Sequence, residues 1–305
     1  MFRSLWKKLL WGIAIILAMS HSAFGGGGWV DAPGEGWLRL GYDIKHQPDG
    51  MRRDVNGIPY QAEYTLTHTY AFAYLAGDVG ILPGLQGSFL VQYLWAAERV
   101  DPTDEDPSRF YRGFTDMYAG LTYQLWAGEY PTAVGLNVRM PYLYQAGSYI
   151  NGQPATNISG LLNHDYDFTV ASSHSFNNGA YVSAMGGFRY REGAFAHQIL
   201  GEAEVGDRPS YAFLDNRLFL KAAFDGAFSI GSDLAPEYTT DRFLSPGLDG
   251  SHFFDYNKAS YIRAMLVAAV DVMPKTTIQG GIIWDLWGIS IDIYHELFAE
   301  VGYNF

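Results

Sequence analysis

The chain has 305 residues, of which 48% are apolar and only 17% charged, where an ordinary soluble domain carries about 25% charged residues. Its formal net charge is −12 and it contains no cysteine. The apolar content excludes a disordered chain. The missing cysteines exclude a disulfide scaffold, a thiolate metal site and a cysteine nucleophile, and the acidic balance speaks against a general nucleic-acid binder.

Residues 1–25 open with the basic residues Arg3, Lys7 and Lys8. An apolar run over 9–18 follows, and then the small residues Ser20, Ser22, Ala23 and Gly25. This is the order of a secretory signal peptide, with Ala23-x-Gly25 as a small-x-small cleavage site. Ten apolar residues are short for a membrane anchor, which needs about 20. No later stretch reads as a membrane helix. The exported chain is then either soluble or a closed barrel, the other spanning structure that satisfies every backbone polar group.

From residue 36 onward apolar and polar residues alternate with period two, the pattern of a half-buried strand. In 36–45, Leu38, Leu40, Tyr42 and Ile44 oppose Arg39, Asp43 and Lys45. In 63–75, Leu66, Tyr70, Phe72 and Tyr74 oppose threonines. In 88–97, Phe89, Val91, Tyr93 and Trp95 oppose Ser88 and Gln92. In 115–126, Met117, Leu121, Tyr123 and Leu125 oppose Asp116, Thr122 and Gln124. In 132–141, Val134, Leu136 and Val138 oppose Asn137 and Arg139, and in 165–176, Tyr166, Phe168 and Val170 oppose Asp167 and Thr169. The second half repeats this over 180–191, 197–205, 217–228, 261–272 and 276–286. The last segment, 295–305, sets Leu297, Ala299, Val301, Tyr303 and Phe305 against Glu296, Glu300 and Asn304, with Phe298 as the exception.

These are twelve strands of about ten residues, long enough to cross a bilayer at the usual tilt. The count is even, as in bacterial single-chain barrels. The long connections 46–62, 100–113, 142–164 and 230–258 all fall on odd positions, and the short ones at 127–131, 177–179 and 273–275 on even positions. With the N-terminus in the periplasm, that is the expected sequence of long outer loops and short periplasmic turns. The predicted fold is therefore all-β, a transmembrane antiparallel up-and-down barrel. Its organisation is a cleaved leader at 1–25, a short N-terminal periplasmic segment at 26–35 and the barrel at 36–305. The aromatic content, 16% with 22 Tyr, fits girdles at the two membrane interfaces.

The inward face carries both signs: Arg39, Lys45, Arg139, Arg189, Lys221 and Arg263 with Asp43, Asp116, Glu202, Glu204, Asp225, Asp271, Asp285, Glu296 and Glu300. Isolated ions there would be costly, so they should pair or be hydrated. They form either a stiffening lattice of salt bridges or a polar pathway that selects solutes. Val301, Tyr303 and Phe305 form the terminal pattern read by barrel-assembly machinery, and the surroundings of such a chain are outer-membrane lipid and lipopolysaccharide. The acids of 101–109 are solvated surface charge; their spacing is not that of a calcium loop. No catalytic centre, cofactor site, metal site or nucleic-acid surface stands out.

Residues 113–191 resemble the outer-membrane family named for the meta-pathway of phenol degradation. The resemblance rests on Gly113-Phe114-Thr115-Asp116, Leu121-Thr122-Tyr123, Arg139-Met140-Pro141, His164-Asp165-Tyr166-Asp167 and Gly186-Gly187-Phe188-Arg189-Tyr190-Arg191. Members usually carry Gly-Asp where this chain has Thr115-Asp116, and a small residue and Gly where it has Tyr142-Leu143. The resemblance implies a channel or transporter for passive uptake of small molecules, hydrophobic or aromatic ones among them. The alternatives are a structural or adhesive barrel that binds a partner through its outer loops, and an outer-membrane lipid hydrolase using the tract Ser172-Ser173-His174. Turn chemistry accounts for Asn177-Asn178-Gly179 in that tract without catalysis.

Overall fold

The computed structural model describes residues 27–47, 51–54, 56–61, 67–99, 109–140, 148–150, 153–155, 164–192, 196–209, 217–230, 259–289 and 291–305. The leader at 1–25 and the acids of loop 101–109 lie outside the described residues.

Twelve long strands follow one another: β1 Gly36–Gln47, β2 Thr67–Leu82, β3 Leu85–Arg99, β4 Arg109–Trp126, β5 Thr132–Met140 and β6 Asp165–Ser175, then β7 Tyr181–Arg191, β8 His197–Asp207, β9 Leu218–Ile230, β10 Ser260–Met273, β11 Thr276–Ile289 and β12 His295–Asn304. Each pairs antiparallel with its neighbours in sequence, and β1 pairs antiparallel with β12, from Trp37 opposite Asn304 to His46 opposite His295. The sheet closes on itself, so no strand edge is left without hydrogen bonds, which is what a spanning sheet requires.

The turns at one end are short. Pro83-Gly84 and Pro274-Lys275 each join two strands, and Lys275 takes a φ of 69°, the left-handed second position of a tight turn after proline. The opposite end carries the long connections. There Met51–Arg53 pairs with Pro59–Gln61 and with Ile291–Asp292 in a separate small sheet. The buried Asp54 carboxylate accepts the amides of Asn56 and Ile58 at 2.8 Å, which holds that loop in a turn.

Period two now has a physical meaning. Leu38, Leu40, Tyr42 and Ile44 are exposed on the outer surface, whereas Arg39 and Asp43 are 5% and 4% exposed inside. The outer belt continues through Leu121, Leu136, Val170, Ile199, Phe224, Leu266, Ile282 and Leu297. Exposed Trp95, Phe114, Tyr190, Phe228 and Trp287 lie near the long-loop end, and exposed Tyr123, Trp126, Tyr130, Phe176, Tyr303 and Phe305 near the short-turn end. An apolar band between two aromatic girdles is the surface of a barrel immersed in lipid.

One expectation from the sequence is corrected. Register puts Arg39 opposite Ala76 and Asp43 opposite Phe72, so Tyr70, Phe72 and Tyr74 face the lumen rather than the lipid. The outer face of β2 is Ala71, Ala73, Leu75 and Val79. The inversion follows from what β2 must supply, since its aromatics fill the interior. Phe298 lies on the inward row with Glu296 and Glu300, an apolar side chain on the polar face as the sequence shows. Asp116 falls in an irregularity where Val91 pairs with Met117 and Tyr93 with Phe114, and its side chain lies outside the described residues.

Candidate functional site

The lumen is the candidate site, and the strand registers build it. Lys45 lies opposite Glu296, Asp167 opposite Arg189, Asp225 opposite Arg263, and Asp165 opposite both Arg139 and Arg191. Opposite charges facing each other across a ladder stabilise the pairing. The contacts are close. Lys45 Nζ is 3.0 Å from Glu296, Arg189 grips Asp167 with two nitrogens at 2.7 and 2.8 Å, Arg263 Nη2 is 2.6 Å from Asp225, and Arg139 is 2.8 Å from Asp165. Lys221 meets Glu204 at 2.9 Å. Near the short-turn end Arg208 meets Asp271 at 2.8 Å, and Thr277 donates to the same carboxylate.

The most enclosed group centres on Glu300. Arg39 Nη1 donates to it at 2.8 Å, Tyr74 donates its hydroxyl at 2.6 Å, and Gln279 donates its amide. Tyr74 is on β2 and Glu300 on β12, with β1 between them. The ring reaches across because Gly41 of β1 has no side chain; a Cβ there would stand 2.1 Å from the ring. Arg39 also lies over the Trp37 ring at 4.1 Å.

Around the ring the lumen wall is unequal. Strands β2 to β4 present Tyr70, Phe72, Tyr74, Leu90, Leu94 and Tyr118, and Leu90 packs with Trp37 and Ala76 in a small core. Strands β8 to β12 present Glu202, Glu204, Asp225, Asp271, Asp285, Glu296 and Glu300 with Lys221 and Arg263. The first wall is the richer in aromatic rings, and the facing wall carries most of the acid, set among apolar residues such as Phe219, Met265, Ile283 and Phe298.

Residues 27–35 precede β1 and turn back into the short-turn end of the barrel. Gly28 donates to Ser173 of β6 at 2.8 Å and accepts from Gln124 of β4, and the Asp31 amide donates to Gln86 of β3 at 2.8 Å. Trp29 packs edge-on to Tyr181 of β7, ring centres 5.7 Å apart, and joins the cluster of Tyr181, Phe219 and Ala269. The segment thus runs from β1 past β2, β3, β4 and β6 to β7, halfway round the ring of twelve. Pro33 pairs with Gly80, and backbone bonds of 2.9 Å run from Gly34 to Gly80 and from Gly80 to Glu35. That approach is possible because residue 80 is glycine: a Cβ would stand 2.1 Å from the Ala32 carbonyl. Nothing in the period-two pattern signals this strap, and the only hint is the short Gly-rich run before Trp29.

Burial, and then the neighbouring Glu35, push the Asp31 carboxyl up from the usual 3.8 to about 6. Asp78 is another charged group near it, and Asp78 in turn lies near Arg39. A raised acid pKa in the docked state means that docking is undisturbed below 3.8, weakens as pH rises toward 6 and stays weakened above. At roughly 1.4 kcal/mol per unit the loss reaches about 3 kcal/mol. A nitroxide carried by a cysteine at the exposed position 32 should therefore be more mobile at pH 7.5 than at pH 5. Asp31→Asn should abolish that difference.

The other predicted residues are placed as follows. Glu202 faces inward beside Asp225, and Asp285 accepts the Tyr294 amide at 2.8 Å. Val301, Tyr303 and Phe305 are exposed on the outer surface. Within the tract at 172–174, Ser172 accepts from Thr132, Ser173 donates to Ser183, and His174 stacks on Tyr130 and meets the Glu129 carbonyl at 3.1 Å.

Closed sheet, apolar belt, girdles and charged interior define a transmembrane β-barrel of the bacterial outer-membrane kind. Among solved structures the chain is similar to the COG4313 outer membrane channel from Pseudomonas putida F1, at 14% identity and a TM-score of 0.58, over 90% of this chain and 97% of that one. LpxR from Salmonella typhimurium aligns at 11% identity and 0.47, over 88% and 100% of the two chains. The Pseudomonas putida toluene transporter TodX aligns at 12% and 0.41, over 95% and 92%. No family model and no curated protein matches the chain.

Proposed function

We propose that the chain is an outer-membrane channel for passive uptake of small molecules, hydrophobic or aromatic ones among them, with its own N-terminal segment as the gate. The observation that carries this reading is the two-sided lumen. The wall of Tyr70, Phe72, Tyr74 and Tyr118, backed by the buried Leu90 and Leu94, offers an apolar track, while ion pairs keep the facing wall rigid and wet. A resemblance to the phenol meta-pathway family and a fold shared with a protein described as an outer membrane channel support it. On this reading the leader at 1–25 directs export, and barrel-assembly machinery reads Val301, Tyr303 and Phe305. The barrel then sits among outer-membrane lipid and lipopolysaccharide as a conduit without a cofactor or catalytic centre.

The test is entry of N-phenyl-1-naphthylamine, a neutral aromatic dye that fluoresces in lipid, into Gram-negative cells expressing the protein. Faster entry than in cells with an empty vector is expected. Equal entry, together with no conductance in planar bilayers, would contradict the reading.

A further inference from the structure

Four lumen cations are held by the same device. Lys45 stands 3.0 Å from Glu296, 4.0 Å from Asp43 and 5.4 Å from the centre of the Phe72 ring. Arg39 bonds Glu300 and lies 4.1 Å over Trp37, and Arg263 bonds Asp225 and lies 4.7 Å over Tyr261. Arg208 bonds Asp271 and lies 5.9 Å over Phe219. Each is a cation between a carboxylate and an aromatic face, and both contacts favour positive charge. The interior is thus built, strand after strand, as a solvent for cations.

The acids outnumber the cations so held. Register places Glu202, Asp225, Arg263 and Asp285 in one transverse row over β8 to β11, three carboxylates to one guanidinium. Asp225 takes the guanidinium, and among the described residues Asp285 takes only the Tyr294 amide. Among the described residues Glu202 has neither a hydrogen bond nor a cation within ion-pair distance; Lys221, the nearest on that wall, is committed to Glu204. A second observation is independent of this row. Asp43 is 4% exposed, the Lys45 ammonium 4.0 Å from its Oδ2 is held closer by Glu296, and among the described residues its Oδ1 accepts no hydrogen bond. Surplus carboxylates lining a passage favour cations over anions.

We infer that the lumen selects organic cations with an apolar body, the positive head following Glu202, Asp285 and Asp43 and the body lying along Phe72, Tyr74 and their neighbours. The inference rests on the channel reading above and narrows it to a solute class. An anion of the same shape would meet carboxylates that outnumber the cations beside them, and a hydrophilic cation would gain nothing from the aromatic wall.

Phenyltrimethylammonium and benzenesulfonate share a ring and differ in charge, and both cross lipid poorly. In planar bilayers with a gradient of each salt, the reversal potential should give a permeability ratio above tenfold in favour of the cation. Glu202→Gln with Asp285→Asn, checked for folding by heat-modifiable gel mobility, should bring the ratio to within threefold of unity. A wild-type ratio near one, or one favouring the anion, overturns the inference and leaves the channel reading intact. Binding of phenyltrimethylammonium to detergent-solubilised protein is measured alongside by calorimetry and does not depend on conduction. Saturable binding weakened at least fivefold by the double substitution supports the inference even for a silent barrel, in which case the channel reading is what fails. Absence of saturable binding to the wild type overturns it.

Discussion

Deleting residues 27–33 is expected to raise single-channel conductance several-fold. The segment runs from β1 to β7 and is tied to β2, β3, β4 and β6 on the way. Each such hydrogen bond contributes about 0.5–1.5 kcal/mol net, and Trp29 adds aromatic packing against Tyr181 and Phe219. The sum is small enough for the strap to leave and return without disturbing the barrel, whose ladder it does not join except at Gly80. A gentler version keeps the segment and removes its seat. Gly80→Val places a side chain where the Ala32 carbonyl now lies and should raise conductance in the same direction. Unchanged conductance in both variants would mean that the strap does not obstruct the path.

Glu300→Ala is expected to cost about 3–5 kcal/mol of stability, the usual penalty for stranding the partner of a buried ion. Three donors lose their acceptor at once, Arg39, Tyr74 and Gln279, and the side chains of Arg39 and Glu300 are only 6% and 4% exposed. Glu300→Gln keeps an acceptor of the same shape and should cost less. Replacing Arg39 and Glu300 together by Met and Leu should recover most of the loss, because desolvation of the two ions offsets much of their attraction. Urea titration of protein folded into vesicles, followed by tryptophan fluorescence, measures all three. A single substitution as mild as the double one would show that the network contributes packing rather than charge.

Most of the barrel was legible because lipid and lumen impose opposite demands on alternate residues. Leu38, Leu40, Tyr42 and Ile44 against Arg39, Asp43 and Lys45 leave no other assignment, and the parity of long and short connections tests the strand count separately. Where both faces carry similar residues the pattern loses its meaning. β2 alternates aromatics with Thr and Ala, and a Tyr suits a membrane interface as well as an interior that needs its hydroxyl; only the register with Arg39 and Asp43 decides. The strap escaped for another reason. Its residues 27–35 have no periodicity, and their partners, Gly80, Gln86, Gln124 and Ser173, are unremarkable in sequence until the ring closes. The lumen charges were legible as a set but not as pairs, since Tyr74 reaching Glu300 over Gly41 involves three strands from opposite ends of the chain.

The chain has no native cysteine, so single cysteines can be placed at positions 38, 39, 40, 42, 43, 44 and 45 of β1, leaving Gly41 to the Tyr74 ring, and spin-labelled in bilayers. Collisions with oxygen, which concentrates in lipid, should rise at 38, 40, 42 and 44 and fall at 39, 43 and 45. A flat profile, or one repeating every three to four residues, would contradict a strand with one face in the membrane and the other in the lumen.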